Sequence, residues 1–295
     1  MTQFLSNVAD RAHRLIFRQP LSSQMRKFLN NLSWSFIAGI ISLPLMMLAI
    51  TLAGRFMGPT EFGKYSLIMV YSQFITVIIF LGLDTTTVKF LAKASSIDRQ
   101  KQLITSNIIF ITLSAISSVI LALIIYLLVP TLHIKLLLIA TIFTFFIVFK
   151  LAQDLFVRGI EDFRFQARTK ILESLTVFTL FIIAFVLLNA TRTYLSLLLI
   201  LGSGSLVASA YLWSKTHQYL SRFNWLEIRR QIGEGKQFFI GTLFGTIYLS
   251  LDKFLISKFI SFEALGLYSA YYFASFMVMA QITQLFTNVF FPATA

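Results

Sequence analysis

The residues of this chain with the greatest chemical potential are a few charges inside long apolar segments. Lys150, Asp154 and Arg158 follow one another at i, i+4 and i+8, which places them on one face of a predicted helix. Asp252 and Lys253 interrupt another apolar segment. A charge at the centre of a bilayer costs about 2.5–3.5 kcal/mol on insertion scales, so such a group usually faces a cavity or a partner. These five residues are therefore the first candidates for a site.

Each group of charges has two interpretations. The cations Lys150 and Arg158 could line a wet cavity and hold an anion, with Asp154 keeping both side chains extended. Alternatively, Lys150 pairs with Asp154 and extends to the membrane surface along the helix. Adjacent helical residues point about 100° apart, so Asp252 and Lys253 cannot both face a lumen. We expect Asp252 to face it, as a proton or cation site, or to make a polar contact between lobes.

Composition indicates the class of protein in which these charges lie. The chain has 295 residues, of which 57% are hydrophobic and 13% charged, and its mean hydropathy is +0.79. Soluble domains are about 45–50% apolar and about 25% charged. Such a chain could not cover a soluble surface with polar groups, so we expect an integral membrane protein rather than a soluble enzyme.

The residue inventory argues against catalysis. Without cysteine there is no disulfide framework and no thiol nucleophile, and the three histidines are scattered along the chain. The glycine-rich run at 233–237 lacks the hydroxyl residue and the spacing of a nucleotide-binding P-loop. We therefore expect no enzyme activity, no cofactor and no metal site.

Long runs with few charges predict the membrane spans. A helix needs about 20 apolar residues to cross the hydrocarbon core. The fold class predicted is all-α integral membrane, with about eight transmembrane helices. The predicted spans cover residues 32–53, 65–83, 102–132, 136–158, 174–191, 193–214, 237–257 and 264–295.

The connections between spans alternate in charge, which predicts the topology. Of the 25 lysines and arginines, 18 lie on one side, five on the other, and Lys150 and Lys253 within spans. Positive residues concentrate on the cytoplasmic side of membrane proteins. We therefore expect the N-terminus to be cytoplasmic, and most of the net charge of +13 is explained without nucleic acid. The 18 are Arg11, Arg14, Arg18, Arg26, Lys27, Lys89, Lys93, Arg99, Lys101, Arg158, Arg164, Arg168, Lys170, Lys215, Arg222, Arg229, Arg230 and Lys236.

An internal repeat predicts the domain organisation. A shift of 203 positions aligns residues 55–66 with 258–269, so that Phe, Gly, Tyr and Ser recur after a basic residue. Both segments join two spans on the less basic side. Such parallel repeats are typical of transporters. We predict a cytoplasmic amphipathic lead-in at 1–30, a six-helix first lobe with its linker at 31–230, and the first two helices of a second lobe at 231–295.

Several short motifs, in order, carry a resemblance to a known family. The chain resembles polysaccharide-biosynthesis flippases, which move O-antigen and capsule repeat units and belong to the multidrug/oligosaccharidyl-lipid/polysaccharide exporter superfamily. The loop after the first span is similar to their R-x-L-G-P-x-x-F-G-x-Y pattern. The residues of this loop that match are Arg55, Gly58-Pro59, Phe62-Gly63 and Tyr65. Residues that resemble further motifs of the family are Leu81-Gly82-Leu83 with Lys89, Asp252, Gly266-Leu267-Tyr268-Ser269 and Phe291-Pro292.

The resemblance implies a function for the candidate charges. It implies two lobes of 12–14 helices in total, a central cavity and alternating access in the bacterial inner membrane, so this chain is expected to be truncated after about eight helices. The implied cargo is an undecaprenyl-diphosphate-linked oligosaccharide, which Lys150, Asp154 and Arg158 would bind while Asp252 couples an ion. Membrane lipids, polysaccharide polymerase and chain-length proteins are the other expected partners. Alternatives are a cation-coupled multidrug exporter and a non-transporting scaffold of a polysaccharide-assembly complex.

Overall fold

A computed structural model describes residues 23–94, 96–129, 131–188, 191–273, 275 and 283. The lead-in predicted for residues 1–30 and the span predicted for 264–295 therefore lie mostly outside the described residues. Within these ranges the regular secondary structure is helical throughout. The helices are α1 Ser23–Met57, α2 Pro59–Phe80, α3 Leu83–Ala92, α4 Ile97–Leu128, α5 Leu132–Gly159, α6 Phe163–Phe181, α7 Tyr194–Thr216, α8 Trp225–Phe259 and α9 Phe262–Tyr272.

Seven helices of the described ranges are long and apolar enough to cross a membrane. They are α1, α2, α4, α5, α6 with its π-helical continuation Ile182–Leu187, α7, and α8. They match the first seven predicted spans, and α9 begins the eighth. The prediction of an all-helical integral membrane protein is confirmed.

Polar side chains at the helix starts explain where several helices begin. A helix leaves its first backbone amides without partners, and an N-cap oxygen accepts from one of them. In the described ranges, five helices have such a cap. The cap residues are Ser96 for α4, Thr131 for α5, Asp162 for α6, Asn224 for α8 and Ser261 for α9.

Several helices extend beyond the spans predicted from the sequence. Helix α8 begins at Trp225 rather than near residue 237, and α6 begins at Phe163 rather than near 174. Helix α3 occupies a stretch predicted as a connection. The length of a charge-free run reflects the thickness of the hydrocarbon core alone. A helix can extend beyond that core into the polar headgroup layer, where charged residues are tolerated. The basic connections are consequently short.

Two buried clusters hold the first six spans together. One joins α1, α2, α5, α6 and α7 around large side chains such as Phe181 and Phe185. The other joins the end of α2 with α3, α4 and α5 around residues such as Phe156. Helices α2 and α5 contribute to both clusters and therefore form the centre of the bundle.

The two repeated segments meet through their glycines. A Cβ on Gly63 would lie 1.8 Å from the carbonyl oxygen of Phe262, and a Cβ on Gly266 would lie 1.9 Å from the carbonyl oxygen of Pro59. The shift of 203 positions relates Gly63 to Gly266 and Pro59 to Phe262. The contact is therefore reciprocal, and both positions need glycine because the backbones of α2 and α9 touch.

Another glycine pair has no close neighbour. Gly241 and Gly245 form a G-x-x-x-G on α8, a pattern that lets helices approach closely. A Cβ on either residue would meet no described atom within 4 Å. Within the described part of the chain, the close approach expected at these glycines does not occur.

Candidate functional site

A cavity of about 750 Å³ separates α2 and α5 from α8 and α9. Its wall is mostly apolar, with aromatic residues such as Phe62, Tyr65 and Phe239. The charged residues in the wall are Asp84, Asp154, Arg158 and Lys253. Ligand sites are commonly apolar clefts with a few placed polar groups, so this cavity is the candidate site.

Arg158 is the charge in the wall with the fewest partners. Its Nε is buried and has no hydrogen-bond partner among the described residues. No carboxylate of the described ranges lies within 4.0 Å of its guanidinium. A guanidinium has five N–H donors in a fixed fork, which suits carboxylate or phosphate oxygens. Arg158 can therefore receive an anion from the cavity.

Asp154 lies beside Arg158 but is held by a neutral partner. The Nε2 of Gln166, on α6, donates to both carboxylate oxygens of Asp154 at 3.0 and 2.9 Å. Gln166 is itself buried. This bidentate amide fixes the carboxylate in the wall, so the hydrogen-bond partner of Asp154 is Gln166 rather than Lys150 or Arg158.

Lys150 has a different partner from the one expected. Its Nζ contacts the Glu173 oxygens at 2.9 and 3.1 Å, and the Ser205 hydroxyl donates to Glu173 at 3.1 Å. Lys150 is also absent from the cavity wall. Eight residues turn a helix by about 80° beyond two full turns. Lys150 consequently points toward α6 and α7 while Arg158 points into the cavity.

Of the two adjacent charges of α8, Lys253 faces the cavity, whereas Asp252 was expected to face it. Lys253 lies in the cavity wall, with its Nζ 3.7 Å from the centroid of the Tyr272 ring. Asp252 does not line the cavity and accepts a hydrogen bond from the Tyr268 hydroxyl of α9. Sequence spacing showed that the two must diverge, but not which one faces inward.

Asp84 is a wall residue that the sequence reasoning missed. It lies in the first turn of α3, two residues after Gly82, whose φ of 85° allows the turn between α2 and α3. Burial raises the pKa of its carboxyl, an effect opposed by the Thr85 amide and by the charge of Arg158. The available signal was a carboxylate at the end of a charge-free run, next to the Leu81-Gly82-Leu83 motif.

At the basic end of the bundle, α8 touches the start of α3. A Cβ on Gly82 would lie 2.3 Å from the carbonyl oxygen of Gly235. Nearby, the Oε1 of Gln231 accepts from Thr87 at 3.3 Å and from Asn107 at 3.2 Å. These contacts lie at the opposite end of α2 from the Gly63–Gly266 contact. Helices α8 and α9 thus hold α2 at both of its ends.

Solved structures with the same fold are transporters. The chain superposes on the outward-facing conformation of a multidrug resistance MATE family transporter of the MOP superfamily with a TM-score of 0.60 at 15% identity, covering 94% of this chain and 67% of that one. A MOP superfamily transporter from Pyrococcus furiosus, whose reversed binding-pocket polarity suggests a different function, gives 0.56 at 15% identity, covering 93% and 65%. A MATE structure in the bent conformation gives 0.54 at 13% identity, covering 92% and 65%.

Sequence comparison gives the family. The chain spans about two thirds of the length of these structures, and the low identities establish a shared fold alone. A search of curated proteins found no match. A family model described as polysaccharide biosynthesis protein matches residues 28–295. The chain therefore belongs to the polysaccharide biosynthesis protein family, with the fold of MOP superfamily membrane transporters.

Proposed function

We propose that this chain acts in a flippase for undecaprenyl-diphosphate-linked oligosaccharide, which supplies repeat units for O-antigen or capsule synthesis. The observation that carries the proposal is Arg158, a partly buried arginine in the cavity wall whose Nε has no hydrogen-bond partner and whose guanidinium has no carboxylate within 4.0 Å in the described ranges. The family match supports polysaccharide synthesis as the pathway. The fold supports export rather than catalysis.

The geometry supports a specific way of holding the cargo. The diphosphate would bind at Arg158 on α5. Lys253 on α8 lines the same cavity but lies about 27 Å farther along α8 than Gly235, which meets Gly82 near the level of Arg158, so Lys253 would contact another part of the cargo. Charge-assisted hydrogen bonds from a guanidinium to phosphate are short and about twice as strong as neutral ones. Because one cation belongs to each lobe, rocking of the lobes would change the distance between the two cations.

The distribution of charge along the chain supports a proposal for its orientation in the membrane. We propose the bacterial inner membrane, with the N-terminus and the basic connections in the cytoplasm. Lipid-linked oligosaccharide and membrane lipids are then the direct partners. Polysaccharide polymerase and chain-length proteins, which act on the flipped repeat unit, are the proposed protein partners.

Arg158 provides the test. In the full-length protein, expressed in a strain that lacks its own repeat-unit flippase, Arg158→Ala should reduce surface polysaccharide at least about tenfold, because a charged hydrogen bond is worth about 1.5–3 kcal/mol. Arg158→Glu should be worse, and Arg158→Lys should retain part of the activity. The measurement is surface polysaccharide relative to membrane-inserted protein.

The control is Arg168→Ala, which removes an exposed arginine of α6 outside the cavity wall. It should keep wild-type polysaccharide levels. Normal polysaccharide with Arg158→Glu at wild-type abundance would refute the cargo role of the cavity.

A cation-coupled multidrug exporter is the second candidate, because two carboxylates, Asp84 and Asp154, share the cavity wall. The raised pKa of Asp84 would let it exchange a proton for a cationic substrate. This function predicts drug resistance on expression, lost in Asp84→Asn and retained in Arg158→Ala. The flippase function predicts instead that Arg158→Ala loses activity and that expression gives no drug resistance.

A further inference from the structure

A second pocket, of about 300 Å³, opens at the basic end of the bundle. It lies where the end of α3 and the start of α4 meet the N-terminal part of α8. Its wall consists of Lys89, Phe90, Lys93, Arg99, Arg230 and Glu234. Four of these six side chains are cationic and one is anionic, so an anion is the ligand that its charge favours.

The carboxylates nearby leave part of this positive charge uncompensated. Lys89 pairs with Glu234 at 2.8 Å, and the Nε of Arg99 lies 3.7 Å from Glu227. Lys93 and Arg230 make no ion pair within 4.0 Å in the described ranges. Glu234 is shared electrostatically among Lys89, Arg230 and Lys93, so one carboxylate faces three cations. An anion that binds there relieves the remaining repulsion between the cations.

The place of the pocket along α8 indicates where the anion comes from. Arg230 and Glu234 precede residue 237, where the charge-free run of α8 begins. This level corresponds to the lipid headgroups, and basic pockets between membrane helices on the cytoplasmic side bind anionic headgroups. A volume of 300 Å³ equals that of about ten water molecules, which is enough for a phosphate and its ester groups.

We propose that this basic pocket binds a phosphate group, supplied by the headgroup of an anionic membrane lipid, and that the phosphate fastens α8 to α3. Lys93 approaches from the end of α3 and Arg230 from α8, so one phosphate can accept from both. The same two helices already meet at Gly82 and Gly235. The lipid therefore strengthens the contact between α8 and the start of α3, independently of the cargo.

The test measures thermal stabilisation of the purified full-length protein during titration with phosphatidylglycerol, with phosphatidylcholine as the neutral lipid. Each basic residue near a phosphate contributes about 1 kcal/mol, or about fivefold in affinity. The double variant Lys93→Gln/Arg230→Gln should therefore bind phosphatidylglycerol about tenfold to thirtyfold more weakly. The matched control, Lys101→Gln/Arg229→Gln, removes the same residue types from the same end but outside the pocket. It should bind as the wild type does.

Two further variants and one further ligand make the result specific. Lys93→Arg/Arg230→Lys keeps both charges and should keep binding. Retained binding in this variant would assign the weaker binding of the glutamine variant to the lost charges rather than to a folding defect. Glu234→Gln removes the anion in the wall and should tighten binding. Equal weakening in the two glutamine double variants, or equal stabilisation by phosphatidylcholine, would overturn the proposal. Inorganic phosphate distinguishes a lipid headgroup from free phosphate as the ligand. If inorganic phosphate, at the same concentration as phosphatidylglycerol, gives a thermal stabilisation that depends on Lys93 and Arg230, the site binds soluble phosphate instead of lipid.

Discussion

At the residue scale, the bundle holds its internal charges in place with specific partners. Lys150 and Glu173 have side chains only 17% and 14% exposed, and they face each other across α5 and α6. Ser205 adds a third group from α7. A buried pair of this kind costs solvation to form, and removing one partner leaves an isolated charge. The pair therefore determines how α5, α6 and α7 pack, rather than how cargo is held.

We expect the Lys150–Glu173 pair to behave as one unit in a double-mutant cycle. Lys150→Met should lower the stability of the protein by about 3 kcal/mol, because Glu173 then remains buried without a cation. Adding Glu173→Gln should recover most of that loss. The measurement is thermal unfolding in detergent. Additive losses in the double variant would show that the two side chains are not coupled.

Asp162 gives the protein a stability that depends on pH. It caps α6 by accepting from the Phe165 amide at 3.0 Å, and it pairs with Lys215 at the end of α7. Burial raises the pKa of this carboxyl, but the hydrogen bonds from Lys215 and Phe165 outweigh that effect and hold the pKa below its ordinary value of 3.8. The contribution of the charge is therefore complete above the ordinary value and is lost as the pH falls through the lowered pKa.

Two substitutions separate the cap from the charge. Asp162→Asn retains an N-cap oxygen but loses the negative charge that pairs with Lys215. Its stability deficit should therefore be present at pH 7 and shrink as the pH falls below about 4. Asp162→Ala should cost about 1 kcal/mol more at neutral pH, because the cap is lost as well. Unfolding midpoints between pH 7 and about pH 2 provide the measurement, because the range must pass below the lowered pKa of Asp162. A deficit of Asp162→Asn that stays constant over this range would contradict the assigned ion pair.

At the scale of elements, the reciprocal glycine contact brings the backbones of the two predicted lobes together. Gly63 and Gly266 are equivalent in the 203-residue repeat, and each meets a backbone carbonyl of the other segment. A backbone atom cannot turn aside as a flexible side chain can. Any side chain at these positions must therefore push α2 and α9 apart.

We expect Gly63→Ala and Gly266→Ala to destabilise the protein by about 1–3 kcal/mol each, as overpacked sites do. Gly202→Ala is the control, since its Cβ would meet only Phe143, at an ordinary 3.9 Å. Unfolding midpoints and the yield of a cysteine crosslink between α2 and α9 provide the measurements. A Gly63→Ala variant with the stability of the Gly202→Ala control would disprove the close contact.

At the scale of the whole molecule, charge distribution is expected to determine orientation. The 18 basic residues of one side outnumber the five of the other, and the basic pocket and the N-terminal part of α8 lie on the richer side. Lysine and arginine in short loops remain in the cytoplasm during insertion. The lobes, the cavity and the proposed lipid site then share one orientation.

Reporter fusions test this orientation. Fusions after residues 163 and 223 should report the cytoplasm, and fusions after residues 59 and 190 should report the periplasm. The readouts are a phosphatase that is active only outside the cytoplasm and a fluorescent protein that is active only inside. A periplasmic signal after residue 223 would show that the number of spans before it is wrong.

The sequence by itself determined the properties that depend on composition and spacing along the chain. Apolar runs predicted seven described spans, because the thickness of a bilayer imposes one length on every crossing helix. The repeat singled out Gly63 and Gly266, and motif order indicated the family. The divergence of Asp252 and Lys253 followed from helix geometry alone.

Only the tertiary structure decided which groups meet. Lys150 pairs with Glu173 rather than with Asp154, and Asp154 accepts hydrogen bonds from Gln166. Arg158 lies in the cavity wall. Asp84 enters the wall because Gly82 turns α3 toward α5, and Lys253 faces inward because of how α8 is rotated. A charge in a span needs a partner or a cavity, and helix periodicity shows on which face it lies. Which helix stands opposite that face is a property of the packing of distant segments, which local spacing does not contain.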